Sequence, residues 1–441
     1  MRPSEILFRI LPPLIALAIH FPGLHAWFQQ DDFAWMGLLR EFREGAPLLD
    51  ILFKPSQHGT WRPLSERAYF LIFPAIFGYE ALPMRLAAFL TQAVSLALAQ
   101  DIALRLTRSR LAAAFTPFLW MASSHMTIAM ISNGAYVHVL GAFFLLAATR
   151  CLIAGRTRAM WTAFSLGFLA SESNVVFPAI ATLYTRRLNL PLWAASILYF
   201  AAHMLLAPKR AAGAYAMHFD LSIFSTLYRY WRMIFEPENF TVFTGLPVLA
   251  LQLTGIAITL LIPALSIVKK QNTGILFAAM FVVLLAPVLP LAGHVTGYYL
   301  TVPLAAFALA AAWLVSAWRP AAIPVLAFIL LSAPCAYKAT EWWRARGAVA
   351  QTLARRIFAT RQANPGKTIL LHNVSDEQFW TTLAHYPFVE YKKTYVYLAP
   401  GEGTRIQPHP ESAVRLSEFF LSPAQLSLLR QQDRILDLQA P

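Results

Sequence analysis

The sequence predicts an all-helical polytopic membrane domain followed by a small α/β domain, and three observations carry that reading. Hydrophobic residues fill 58% of the 441 positions against 13% that are charged, with a mean hydropathy of +0.52, a balance outside the range of soluble domains. The apolar residues gather into runs of membrane-spanning length, separated by short clusters of Lys and Arg. From Lys338 the chain turns polar, and helical and strand-like stretches alternate to its end. The net charge of +14 follows the positive-inside bias of membrane proteins, so no nucleic-acid partner is indicated. Cys151 and Cys335 lie in separate apolar segments without a partner motif, so neither a disulfide framework nor a zinc site is expected.

The first apolar run, Ile6 to Trp27, is flanked by Arg2 and Arg9 and lacks a small-residue cleavage site. It reads as a retained signal anchor with a cytoplasmic N-terminus. Residues 28–82 then form one structured extracytoplasmic loop. Within it Trp35, Leu38, Leu39 and Phe42 recur at helical spacing opposite Arg40, Glu41, Arg43 and Glu44, the pattern of a surface helix over residues 33–44. Tyr69 to Phe77 is too short to span. Further spans are expected at Pro83 to Leu104, Leu111 to Ala129 and Gly134 to Leu152.

Trp161 to Tyr184 has the length of one span but carries Ser171-Glu172-Ser173-Asn174 at its centre and basic pairs at both ends. A hairpin of two short helices, of about ten to twelve residues each, keeps the later basic clusters Lys269-Lys270 and Arg319 cytoplasmic. Each arm then rises about 15–18 Å, and the Glu172 turn sits partway through the membrane. Leu190 to Ala207, Val242 to Val268, Ile275 to Ala292, Tyr299 to Trp318 and Ala321 to Tyr337 complete about eleven membrane segments. An outer loop, Lys209 to Phe240, holds Tyr228-Arg229-Tyr230-Trp231-Arg232. This parity places the C-terminus outside. The expected domains are residues 1–338, in the membrane, and 339–441, an extracytoplasmic α/β unit. The second has a helix through Trp342 to Thr360, strands at Thr368 to Val374 and Thr394 to Leu398, a helix near Gln378 to His385, and closing helices near Ala413 to Phe420 and Pro423 to Gln432.

Asp31 and Asp32 stand at the mouth of the first span, where carboxylates are costly unless used or solvated. One can cap a helix beginning at Phe33. Because side chains at i and i+1 diverge, the other is free to face a cavity. Glu172 reads either as a protonated or locally satisfied turn acid or, by the default for an acid at membrane depth, as functional. His125, His138, His203, His218 and His294 are scattered without ligand spacing. Asp101 precedes Arg105 by one helical turn and reads as a local ion pair.

Taken in order, several features resemble integral-membrane glycosyltransferases of the GT-C fold. They are Asp31-Asp32 after the first span, Arg62-Pro63-Leu64, Gly78, the Pro83-Met84-Arg85 helix start, Glu172 six residues before Pro178, and Tyr299 four before Pro303. The resemblance is to the branch of protein O-mannosyltransferases and lipid A aminoarabinose transferases with their bacterial relatives, and covers residues 1–335. It implies that Asp31 is the catalytic carboxylate, Asp32 its acidic partner, and Glu172 the acid of the family's Ser-Lys-Glu-type turn. Two basic positions associated with the donor phosphate are absent: Ser171 stands where Lys is usual, and Tyr298 where an Arg often precedes Tyr299. The resemblance then leaves the phosphate to Arg62, Lys209, Arg210 or His294, beside Tyr298 and Tyr299.

These residues suit transfer of a sugar from a polyprenyl-phosphate carrier, at the headgroup level of the bilayer, to a protein, glycan or lipid acceptor. Asp31 as general base gives a single displacement with inversion through an oxocarbenium-like state. Basic side chains or a divalent metal can neutralise the leaving phosphate, and the sequence does not choose between them. A transporter uses broken helices with an acid at membrane depth too, and an inactive scaffold of the same fold accounts for the missing basic positions. The compact chain points to a bacterial inner membrane.

Overall fold

The structure is a computed structural model and describes residues 3–55, 59–207, 215–385, 395–407 and 414–441. α1 (Pro3–Leu17) carries Pro12 and Pro13 and continues as a 3-10 helix, Ala18–His25. The first loop holds α2 (Asp32–Met36), α3 (Leu38–Arg43), α4 (Leu48–Phe53) and α5 (Tyr69–Phe77). The expected surface helix over 33–44 is thus two short helices that meet at Gly37. The membrane helices follow: α6 (Ala81–Thr107), α7 (Arg110–Met121) with its short successor α8 (Met126–Ile131), α9 (Tyr136–Ile153), α10 (Thr157–Ala170), α11 (Phe177–Thr185) and α12 (Leu190–Leu206). After α13 (Ser222–Phe235) and α14 (Phe240–Thr244) come α15 (Leu249–Val268), α16 (Thr273–Leu285), α17 (Pro303–Ala317) and α18 (Ala322–Ala363). The expected apolar segments are largely helical, but Leu111 to Ala129 is divided between α7 and α8, Val242 to Val268 between α14 and α15, and Ile275 to Ala292 leaves the helix at Leu285; five helices among the described residues are long and apolar enough to cross a bilayer.

α17 is the centre of the bundle, buried from Pro303 to Val315 and packed between α7 and α16. Its alanines let neighbouring backbones approach closely, which is how helices associate where lipid removes the hydrophobic drive. Leu198, Leu205, Ile323 and Leu330 point outward, an arrangement that suits lipid rather than water. Close packing also governs α15: a Cβ on Gly255 would lie 2.4 Å from the ring of Phe235, itself wedged against Phe307 and Phe328. Gly255→Ala is therefore expected to cost about 1–3 kcal/mol by overpacking, read as a lower Tm in detergent, whereas Gly245→Ala, in open space at positive φ, tests backbone strain alone.

α10 and α11 form the expected hairpin. The chain leaves the helix at Ser171, passes through a 3-10 turn (Glu172–Val176), and both arms pack on α9. α10 is longer than expected, at 14 residues, or about 21 Å of rise. Its turn consequently lies near the start of α9, where a Cβ on Gly141 would meet that of Ser171 at 2.9 Å. Glu172 sits against the first loop, where the Trp61 amide and the Arg62 guanidinium reach it.

α18 is 42 residues long and runs past Pro334 without a break, so the expected separate helix at Trp342 to Thr360 is its continuation. Its Ala350 and Ala354 belong to the bundle core, and its Leu353 and Ile357 to a second core with Ile369, Leu371 and Phe379. That second core covers a parallel three-stranded sheet in the order β2-β1-β3, made of β1 (Thr368–His372), β2 (Val396–Leu398) and β3 (Ile435–Gln439). α19 (Asp376–Thr381) starts with a Ser375–Gln378 capping box and α20 (Pro423–Gln431) with a Ser422–Gln425 one. The helix expected near Ala413 to Phe420 is a 3-10 turn, Leu416–Phe419, with Ala413 outside the described residues. β3 was not anticipated, because its core-facing side chains are few and it is held mainly by pairing with β1 in register from Thr368↔Ile435 to His372↔Gln439.

Candidate active site

The two adjacent acids part company completely. Asp32 is fully buried, with Oδ1 accepting from the Gly134 amide at 2.7 Å and the Ser132 hydroxyl at 3.0 Å. Its Oδ2 accepts from the Gln29 amide at 3.2 Å and faces Arg85 Nη2 at 3.5 Å. Burial pushes this carboxyl above the usual range, against the opposing pull of Arg85 and of the three hydrogen bonds. Neither acid caps the α2 helix. Asp32 instead ties the first loop to the start of α6 and to the turn before α9.

Gln30 takes a left-handed backbone, φ 49°, a costly conformation for a side chain of this kind, and the Gln29–Asp32 turn is closed by the Asp32 amide on the Gln29 carbonyl. That turn sends Asp31 the other way, leaving its side chain 87% exposed with Oδ1 at 3.9 Å from His385 Nδ1. Tyr298 lies within electrostatic reach of Asp31.

Glu172 and Arg62, expected separately, meet in a triad with Glu66. Arg62 Nε donates to Glu172 Oε2 and its Nη1 to Glu66 Oε1, both at 2.6 Å, while the Trp61 amide donates to Glu172 Oε1 at 3.2 Å and Thr60 to Glu66 at 3.1 Å. Burial works against the guanidinium's charge, yet Glu172 and Glu66 outweigh it and hold Arg62 above its ordinary pKa. Through these bonds Arg62 joins the first loop to the α10–α11 turn, with Glu66 and Glu172 both on its guanidinium. Removing it strands Glu66, nearly buried, opposite Glu172. Arg62→Ala is expected to cost about 3–5 kcal/mol, the scale for breaking a buried ion pair, and Glu172→Gln less, because Arg62 keeps Glu66; thermal unfolding of both variants checks the order.

His294, Tyr298 and Tyr299 stand together between α16 and α17. His294 Nε2 and Tyr298 Oη are 2.8 Å apart, and His138 of α9 packs against both tyrosines at 5.3 and 5.9 Å. A cleft lined by His138, Ser171, Ser173, Asn174 and Tyr299 joins this group to the hairpin turn. Lys209 and Arg210 fall outside the described residues. Among the described residues no three His, Cys, Asp or Glu side chains gather as a metal site.

Several participants escaped sequence reasoning. Glu66 was legible as an i+4 partner of Arg62. Arg85 and His385 had no local signal, since their partners lie 53 residues away and in another unit of the chain. Arg229 of α13 reaches the Ala292 carbonyl at 3.2 Å, two residues before His294. On another face of that helix, Phe224, Leu227, Tyr228 and Trp231 line an apolar groove of about 740 Å3 with Ile262 of α15 and Ile275 of α16.

The architecture is that of the GT-C fold: a bundle of apolar helices with a small α/β unit at the C-terminal end. Among the solved structures it resembles are two of ArnT from Cupriavidus metallidurans, each 13% identical to this chain. The apo structure aligns with a TM-score of 0.50 over 97% of this chain and 95% of that one, and the structure bound to undecaprenyl phosphate with 0.46 over 92% and 90%. At this identity the likeness is one of fold. No family model and no curated protein matches the sequence.

Proposed function

We propose that the protein is an integral-membrane glycosyltransferase that moves a sugar from a polyprenyl-phosphate carrier to an acceptor on the extracytoplasmic face, with Asp31 as general base. The observation that carries this reading is the division of labour between the two acids. Asp32 is consumed by a buried network that supports the turn, and Asp31 is left accessible at the surface beside His385, with Tyr298 within electrostatic reach. A group placed to take a proton must reach it within hydrogen-bond distance, and an exposed carboxylate on a rigid turn meets that need.

The apolar groove beside α13 suits the carrier's tail, and Arg229 of α13 and His294, two residues beyond the carbonyl that Arg229 binds, suit its phosphate. The acceptor oxygen attacks the anomeric carbon as the bond to phosphate breaks with its electron pair, inverting that centre; Asp31 takes the acceptor's proton. Glu172, paired with Arg62, is structural in this scheme, which also removes the main support for a transporter. The test is binding of a panel of polyprenyl-phosphate sugars to the purified protein, followed by release of polyprenyl phosphate. Binding with release supports the transferase; a wild-type protein that binds none of them overturns it.

A further inference from the structure

We propose that His385, from the C-terminal α/β unit, completes the active centre by relaying the acceptor's proton from Asp31 to solvent. The inference rests on the transferase reading above and adds a residue to it. His385 Nδ1 stands 3.9 Å from Asp31 Oδ1, across the junction between the first loop and the C-terminal unit. The histidine is held from behind: Leu383 and Ala384 are buried in the core of that unit, and the imidazole donates to the Trp380 carbonyl. In a neutral ring that bond leaves the second nitrogen with a free lone pair. Burial lowers the pKa of His385, and Asp31 and the Trp380 bond oppose the shift.

An imidazole is in general a stronger base than a carboxylate, so a histidine beside a general-base aspartate can take over its proton. As the acceptor oxygen bonds the anomeric carbon and the phosphate departs with its electron pair, the hydroxyl proton passes to Asp31. It moves from there to His385, giving an imidazolium beside the restored carboxylate, and then to water, to which the His385 side chain is 28% exposed. The present separation exceeds a hydrogen bond by about 1 Å, a gap that one water or a slight closure of the C-terminal unit spans, as catalytic contacts tighten on substrate binding. His385 acts through Asp31, so it is a positioning and relay residue, and the C-terminal unit is part of the catalytic machinery.

The experiment uses the full-length protein in lipid vesicles with polyprenyl-phosphate mannose, glucose, galactose and 4-amino-arabinose as probes, water or a membrane extract as acceptor, and released polyprenyl phosphate as readout. His385→Gln and His385→Ala are expected to lower kcat by about 10²-fold, the lower end for acid–base groups, with the donor KM changed by less than about twofold. Free imidazole should restore part of the activity of His385→Ala and none of that of His385→Gln. In an Asp31→Asn background, His385→Ala should add no further loss, as for groups acting in series. Wild-type kcat in His385→Gln, with Asp31→Asn inactive, overturns the relay and leaves the transferase standing. A loss that imidazole does not move and that adds to Asp31→Asn overturns it as well. Release unaffected by Asp31→Asn, or absent from every donor with the wild type, overturns the transferase reading and the relay with it.

Discussion

Asp31→Asn should reduce turnover by about 10²- to 10⁴-fold, the usual contribution of a general base, while leaving donor binding and stability unchanged. The amide keeps the size and most hydrogen bonds of the carboxylate and removes its basicity. The side chain is 87% exposed and makes no cap for α2, so the fold has nothing invested in its charge, and a surface change of this kind falls within about 0.5 kcal/mol. The checks are donor affinity, polyprenyl phosphate release and Tm on the same preparation. A variant that releases polyprenyl phosphate at the wild-type rate would remove Asp31 from the chemistry.

Asp32→Ala should do the opposite and unfold the protein before it touches catalysis. It strands the Arg85 charge, itself fully buried, with Nη1 already lacking a hydrogen-bond partner among the described residues, and orphans the Gly134 and Gln29 amides. Breaking a buried pair from one side costs about 3–5 kcal/mol, a large share of the about 5–15 kcal/mol that holds a domain together. Replacing both partners, Asp32→Asn with Arg85→Met, should recover part of that loss, because an apolar side chain leaves no charge to solvate. Thermal unfolding in detergent measures both. Should Asp32→Ala fold with a wild-type Tm yet fail to turn over, the roles assigned to the two acids would have to be exchanged.

How far the sequence reached is seen best at particular residues. The apolar runs became helices nearly where expected, because spanning a bilayer forces every backbone group to bond within its own segment and composition then dictates structure. The hairpin at Ser171 to Asn174 was legible from a polar turn between basic flanks. The partners of Glu172 were not, since Trp61 and Arg62 lie 111 and 110 residues away in the chain. In the polar C-terminal unit β1 was found and β3 was not: a strand of five residues draws its stability from a partner far off in the chain, and no local pattern announces that partner.

The sequence by itself determined a polytopic helical protein with an acid pair at the mouth of its first span, because hydropathy and charge spacing are local and the bilayer reads them directly. Only the tertiary structure decided which acid is which. Asp31 and Asp32 are chemically identical neighbours, and their difference comes from Gly134, Ser132, Arg85 and His385, groups 53 or more residues away for the buried acid. The left-handed turn at Gln30 aims one carboxylate into that network and the other outward, towards His385. Burial and hydrogen bonding set what a carboxylate can do, and both are properties of the folded chain.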